Sequence, residues 1–116
     1  MLLAVIGLLG CKSSSKAEPE DCEKLYWHAF ELDLRDEEGD SFDAAFFDEI
    51  KQAYADRKAG KSSENKTIEE LTVEVEKAIE TNTAACRKDF TKKDIACALA
   101  ATTIQELREK CEIAWE

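Results

Sequence analysis

The chain has 116 residues, of which 36% are charged and 44% are hydrophobic, with only four glycines and one proline. This composition excludes an intrinsically disordered protein and a turn-rich β fold, and it predicts a single small helical domain. The formal net charge of −10 argues against binding to DNA, RNA or anionic lipid surfaces, because an acidic surface repels phosphates.

The first ten residues form a short apolar leader, MLLAVIGLLG, that ends directly before Cys11. Ten helical residues span roughly 15 Å, about half the hydrocarbon thickness of a bilayer, so this segment is too short to cross a membrane. It fits the apolar core of a signal peptide. Leu8-Leu9-Gly10-Cys11 is similar to the lipobox of bacterial lipoproteins, which predicts a signal peptide over residues 1–10 and a lipid on Cys11. The alternatives are an ordinary secretory leader and a buried N-terminal helix.

A polar stretch, KSSSKAEPE, follows Cys11 and shows no apolar periodicity. Residues 11–18 are therefore predicted to be the lipidated cysteine and a flexible tether, and residues 19–116 the folded domain. Two or three acyl chains give a lasting anchor, whereas one chain binds a membrane weakly. The expected location is the bacterial cell envelope, with the outer membrane favoured and the membrane itself as a partner.

Apolar stripes with helical spacing follow the tether. The first helix is predicted over residues 19–34, with Pro19 in the first turn, where its missing N–H costs nothing. The second helix is predicted over residues 42–57, after a cap at Asp40 or Ser41.

The third and fourth helices are each predicted to begin at a capping box, in which a threonine and an acidic residue bond each other's backbone N–H groups. In the third helix the box is Thr67 with Glu70, and the helix leads to Cys86. In the fourth helix it is Thr91 with Asp94, and the helix runs toward Ala114. These elements predict an all-α fold, a small up-down bundle of four helices.

Four cysteines remain after Cys11, and in an oxidising envelope compartment they predict two disulfides. Cys97 and Cys111 lie about 21 Å apart on one continuous helix, which excludes that pair unless the helix breaks. An antiparallel hairpin of the third and fourth helices would bring Cys86 to Cys97 and leave Cys22 to pair with Cys111. The remaining pairing, Cys22–Cys97 with Cys86–Cys111, would join distant levels of the bundle.

Charged segments supply the candidate interaction patch. Residues 31–49 hold nine acidic residues, and the turn before the fourth helix is basic. In an up-down bundle both would lie at one end, where they would screen each other or meet a partner protein. The predicted patch comprises Asp36, Glu37, Glu38, Asp40, Arg87, Lys88, Lys92 and Lys93.

Metal and catalytic sites find little support. The cysteine spacings do not match structural zinc motifs, and the acidic segment departs from the EF-hand pattern at Leu34 and Ala45, although weak calcium binding is an alternative. His28 is predicted to be partly exposed or hydrogen-bonded, since no nucleophile or carboxylate is placed to make it a catalytic base. No metal, cofactor or enzymatic activity is predicted.

The aromatic residues on the first two helices are predicted to fill a core. A ligand cavity lined by Phe30, Phe46, Phe47 and Tyr54 is the alternative, because aromatic side chains also line apolar pockets.

The last third of the chain, from Cys86-Arg-Lys-Asp-Phe-Thr-Lys-Lys-Asp-Ile-Ala-Cys97 to Leu107-Arg-Glu-Lys-Cys111, resembles small four-cysteine helical lipoproteins of myxobacteria and related bacteria. With Cys22 and the lipobox, the resemblance covers most of the chain. It implies compartment and fold but no activity. The expected role is a non-enzymatic envelope lipoprotein that acts through protein contact or as a structural module, with binding of a small apolar ligand as the alternative.

Overall fold

A computed structural model describes residues 15–113, and within that range the chain is helical, without a β-strand. The predicted signal peptide and Cys11 lie outside these residues, as does the segment 114–116. The all-α class and the presence of two disulfides are confirmed. The described α-helices number five: α1 (Pro19–Glu38), α2 (Ala44–Lys58), α3 (Lys66–Asp89), α4 (Lys92–Ala100) and α5 (Ile104–Lys110), and a 3₁₀ helix, Gly39–Ser41, follows α1. No helix of the described part is long and apolar enough to span a bilayer.

Helix α1 packs on two sides, against two separate cores. Cys22, Leu25, Ala29 and Leu32 recur at three- and four-residue steps and pack in one core. Tyr26 and Trp27 lie beside that stripe and pack in a second core. The helical bundle is confirmed, but its described part has five α-helices rather than the predicted four, and α1 lies between two cores rather than at one corner of a single core.

The first core lies between α1, α4 and α5. Two alanines with 0% exposure, Ala29 on α1 and Ala98 on α4, accompany the close approach of these helices. Leu107 on α5 is also completely buried. The buried members of this core are Ala17, Cys22, Leu25, Ala29, Leu32, Cys86, Ile95, Ala98, Ala101, Ile104, Leu107 and Ile113.

The second core, which we call the aromatic core, lies between α1, α2 and α3. Trp27 contacts Phe47 and Tyr54 edge to face, with ring centroids 5.7 and 5.8 Å apart. This geometry is favourable for aromatic pairs and fills the space between helices with large side chains. The buried members of the aromatic core are Tyr26, Trp27, Phe47, Ile50, Tyr54, Ile68, Val75 and Ile79.

The predicted fourth helix breaks at Ala101, whose backbone is extended, and this break separates α4 from α5. Thr103 caps α5 by accepting a hydrogen bond from the backbone N–H of Glu106. The Glu106 carboxylate accepts from the backbone N–H and the hydroxyl of Thr102. These hydrogen bonds satisfy the exposed donors of a new helix start and so stabilise the break.

The other helix starts agree only in part with the predictions. The Thr91–Asp94 box at the start of α4 is confirmed. At α3, however, the cap is Asn65, whose side chain accepts from the N–H groups of Thr67 and Ile68, so the predicted role of Thr67 is wrong. The cap of α2 is Asp43, two or three residues after the predicted positions.

The disulfides join Cys22 to Cys86 and Cys97 to Cys111, with Cα–Cα distances of 6.0 and 5.8 Å, so the predicted pairing is wrong. The break at Ala101 lets α5 fold back along α4, which removes the distance that had excluded Cys97–Cys111. Helix α4 also runs beside α1, because its first residue, Lys92, contacts Asp21 and its C-cap, Ala101, contacts His28. It therefore does not form the antiparallel hairpin with α3 that Cys86–Cys97 required.

Candidate functional site

The chain enters the folded domain at residues 15–17, which are bound to the turn between α3 and α4. The backbone N–H of Ala17 donates to the carbonyl of Phe90 at 3.2 Å, and that of Lys92 donates to the carbonyl of Ser15 at 2.8 Å. Ala17 is only 3% exposed. The predicted tether over residues 11–18 is therefore too long, because Ser15 and the residues after it belong to the domain.

The Cys22–Cys86 disulfide lies beside this entry point and joins the start of α1 to the end of α3. Both cysteines are buried, at 3 and 4% exposure. A covalent bond here prevents the first helix from separating from the domain even when its first turn frays. The entry point is thus held by backbone hydrogen bonds and by a disulfide.

The eight residues of the predicted interaction patch are separated in the structure. Lys92 lies at the start of α1, where its ammonium group is 3.4 Å from the carboxylate of Asp21. Asp36, Glu37 and Glu38 form the end of the same helix. Twenty helical residues span about 30 Å, so the prediction that the acidic and basic groups lie at one end is wrong.

We call the basic group the basal surface and the acidic group the distal surface. The basal surface comprises Lys16, Arg87, Lys88, Lys92 and Lys93, all of them exposed around the entry point. The distal surface comprises Asp36, Glu37, Glu38 and Asp40, also all exposed.

Carboxylates near the basal surface take part in capping. Asp21 accepts a hydrogen bond from the backbone N–H of Glu18, and this bond together with Lys92 lowers the pKa of the Asp21 carboxyl. Asp94 accepts from the N–H and hydroxyl of Thr91. Among the described ion pairs, none involves Lys16, Arg87, Lys88 or Lys93.

The distal surface lies on both sides of Gly39, where the backbone has a φ of +55° that glycine adopts without strain. Arg35, one turn before it, pairs with Glu31 and lies 4.5 Å from the centre of the Phe42 ring. The guanidinium group is therefore already engaged, and it leaves the four distal carboxylates directed to solvent.

The aromatic side chains that the alternative interpretation placed around a ligand cavity pack against one another or lie on the surface. Phe30 and Phe47 pack with ring centroids 5.6 Å apart, and Phe46 is 40% exposed on the outside of α2. The Tyr54 hydroxyl is hydrogen-bonded to Glu23, and burial, followed by this bond, raises its pKa. The interpretation of these aromatic side chains as core is confirmed for Phe47 and Tyr54.

A cleft of about 360 Å³ lies elsewhere, between α1, the end of α3 and the residues after α5. Leu25, Tyr26, Phe90 and Ile113 supply apolar walls, with the Cys22–Cys86 disulfide among them, and Asn82, Asp89 and Glu112 supply polar groups. The sequence does not predict this cleft, because its walls come from three segments that only the observed disulfide pairing brings together.

His28 forms a hydrogen bond to the carbonyl of Ala101 at 2.8 Å, which confirms the prediction of a hydrogen-bonded histidine. Since a carbonyl only accepts, the ring nitrogen Nε2 is the donor. The contact joins α1 to the break between α4 and α5. In residues 15–113, no three His, Cys, Asp or Glu side chains are grouped to bind a metal ion.

No protein-family model, curated protein or solved structure matches the chain.

Proposed function

We propose that the protein is a non-enzymatic envelope lipoprotein, anchored through a lipid on Cys11, that presents its distal surface to a basic partner protein. The observation that carries the proposal is the position of the entry point relative to the distal surface. Residues 15–17 are fixed at the start of α1, and the distal carboxylates lie at its other end.

The short interval between Cys11 and Ser15 supports an anchoring role. The polypeptide reaches at most about 3.6 Å per residue, so these two residues are no more than about 14 Å apart. A lipid on Cys11 would hold the domain next to the bilayer, and a helix of about 30 Å would carry the distal surface away from it.

Metabolic labelling tests the anchor. We expect radioactive palmitate to label the wild-type chain in a bacterial host and to fail to label a Cys11→Ser variant, because the thiol takes the diacylglycerol. Membrane fractionation of the same two strains provides a second measurement. Equal labelling of both chains would contradict lipidation at Cys11.

The partner is tested by crosslinking in intact cells before the envelope is dissolved in detergent. We expect a crosslinked species that disappears when Asp36, Glu37, Glu38 and Asp40 are changed to their amides. A matched control removes four exposed carboxylates of α3 and its preceding loop, Glu64, Glu70, Glu74 and Glu80, and should keep the species. Loss of the species in both variants, or in neither, would contradict the distal surface as the contact.

The cleft supports a second candidate function, binding of a small apolar ligand. Ala85 lines the cleft and Ala84 does not, which offers a matched pair of substitutions. If the cleft binds dodecanoate, chemical shifts of Leu25 and Ile113 change on titration. Ala85→Phe abolishes these changes and Ala84→Phe leaves them intact. Unchanged shifts in the wild-type protein would exclude this ligand class.

A further inference from the structure

We infer that the basal surface lies against anionic lipid headgroups, so that α1 stands with its distal end directed away from the bilayer. The inference rests on the proposed lipidation of Cys11 as the event that brings the domain to the membrane. It names a second contact, between the protein surface and phosphate-bearing lipids, in addition to the acyl chains.

The geometry places the basal surface within electrostatic range of a bilayer. Ser15 is at most about 14 Å from Cys11, and Lys16 and Lys92 are the direct neighbours of that entry point. The distance of about 14 Å is the reach of a fully extended link, and the Debye length at physiological ionic strength is about 8 Å, so the basal charges interact with headgroups when the link is shorter than its full reach. The distal surface, about 30 Å farther along α1, lies beyond that range.

The charges differ between the two ends. Five carboxylates flank the five basal cations in the sequence, namely Glu18, Glu20, Asp21, Asp89 and Asp94, so these ten residues together carry no formal net charge. The entire net charge of −10 is therefore carried by the rest of the chain. An anionic bilayer repels that remainder while the basal surface experiences no net repulsion.

At this end of the domain, the cations are freer to contact headgroups than the two capping carboxylates are. Asp21 and Asp94 are held in caps by backbone N–H groups, whereas Arg87, Lys88 and Lys93 are exposed and form no ion pair among the described residues. Long lysine and arginine side chains extend their charges toward the headgroups, and each contributes to attraction near an anionic surface. The expectation that the acidic chain is repelled by anionic lipid thus holds for its distal parts only.

A vesicle experiment tests the contact without relying on lipidation in cells. With the other four cysteines in disulfides, Cys11 is the single free thiol of a chain that begins at this residue, and it is coupled to a maleimide lipid. The vesicles contain phosphatidylcholine alone or mixed with phosphatidylglycerol. Modification of lysines by an amine-reactive ester is then read residue by residue by mass spectrometry.

We expect the basal lysines Lys16, Lys88, Lys92 and Lys93 to react more slowly on vesicles with phosphatidylglycerol, by roughly fivefold per lysine, and to recover at high salt. Lys61 and Lys77, exposed on the loop before α3 and on α3, should react alike on both vesicles. Equal reactivity of the basal and control lysines on the two vesicle types would overturn the inference.

Variants keep the result interpretable. Lys88→Gln with Lys93→Gln should remove the protection of Lys16 and Lys92, whereas Lys61→Gln with Lys77→Gln should leave it intact; the reverse pattern would overturn the inference. Because the coupling is chemical, this outcome is independent of palmitate labelling in cells. Lysine protection on vesicles without palmitate labelling in cells would support the basal contact and contradict the proposed lipidation. Palmitate labelling in cells without lysine protection on vesicles would support the lipidation and overturn the basal contact.

Discussion

At the scale of single residues, Glu106 shows how one exposed carboxylate fixes a helix start. Its oxygens accept hydrogen bonds from the backbone N–H and hydroxyl of Thr102 and from the ammonium group of Lys110. These bonds require the charged form. They lower the pKa of Glu106 from 4.5 to about 2, with the bond from the Thr102 N–H as the largest cause.

The lowered pKa predicts a specific pH dependence. Because the folded chain holds the carboxyl of Glu106 more acidic than the unfolded chain does, its contribution to stability is complete above about pH 4.5 and is lost as the pH falls toward 2. In Glu106→Gln, we expect a smaller fall in unfolding temperature over this interval than in the wild type. Thermal denaturation at a series of pH values, with ¹³C titration of the carboxyl, provides the measurement.

Glu109→Gln is the matched control, because Glu109 accepts only from Gln105 on its own helix in the described contacts. The pKa of Asp21 is lowered, as that of Glu106 is, so Glu106→Gln should keep part of the pH dependence of stability. Identical pH profiles for Glu106→Gln and the wild type would show that the capping bonds contribute nothing.

At the scale of helices, the break at Ala101 is the feature that the sequence did not predict, although the residues after it carry a helix-start pattern. The pair Thr103 and Glu106 has the same spacing as the correctly predicted pair Thr91 and Asp94. The sequence nevertheless does not predict a helix start at this pair, because the apolar stripe continues through it, from Ile104 to Leu107. A continuous stripe is compatible with one long helix or with two helices that turn around a common core, and only tertiary packing decides between them.

The prediction of one continuous fourth helix also made the predicted disulfide pairing and the predicted interaction patch wrong. A continuous helix excludes Cys97–Cys111, and the elimination then produced a wrong partner for Cys22. The sequence did not predict that residues 15–17 belong to the domain, because they are held by backbone hydrogen bonds to Phe90 and Lys92 rather than by an apolar pattern. Helix existence and the all-α class were accessible from local periodicity, whereas the relative position of helices was not.

The close packing of α1 on α4 predicts intolerance to larger side chains at one face of α4. Ala98→Leu should lower the free energy of unfolding by about 1–3 kcal/mol, because Ala98 is completely buried and extra methyl groups must displace α1 or α5. Ala96→Leu, at an exposed position two residues earlier, is the control and should be near neutral. Urea denaturation followed by circular dichroism measures both.

Equal stability of the two leucine variants would contradict the described orientation of α4. If Ala96→Leu were the destabilising change, the opposite face of the helix would be the buried one.

At the scale of the whole molecule, the two disulfides crosslink different parts of the chain. Cys22–Cys86 closes a separation of 64 residues and Cys97–Cys111 one of 14. The chain-entropy model assigns about 4 kcal/mol to the first and about 3 kcal/mol to the second. Replacing both cysteines of the first pair by serine should therefore cost more stability than the same change in the second pair.

A tryptic map under non-reducing conditions tests the pairing itself, since trypsin separates all four cysteines. We expect peptide 17–24 to be joined to 78–87, and 94–108 to be joined to 111–116. Any species that joins 78–87 to 94–108 would contradict the described arrangement of α3 and α4.

The two cores share α1, and this arrangement predicts that they unfold together. Leu107 is completely buried in the first core and is not a member of the aromatic core. Leu107→Ala should remove about 2–5 kcal/mol of stability. Because loss of the first core exposes one side of α1, the aromatic core on its other side should lose its support at the same denaturant concentration.

Tryptophan fluorescence in a Trp115→Phe background reports on the aromatic core, since Trp27 is then the remaining tryptophan. Far-ultraviolet circular dichroism reports on all helices. If α1 couples the cores, Leu107→Ala shifts the midpoints of both signals equally relative to the same background. A fluorescence midpoint that stays in place while the circular dichroism midpoint falls would mean that the aromatic core is stable without α4 and α5. In that case α1, α2 and α3 would form an independent folding unit, and the distal surface would remain presented even when the first core is lost.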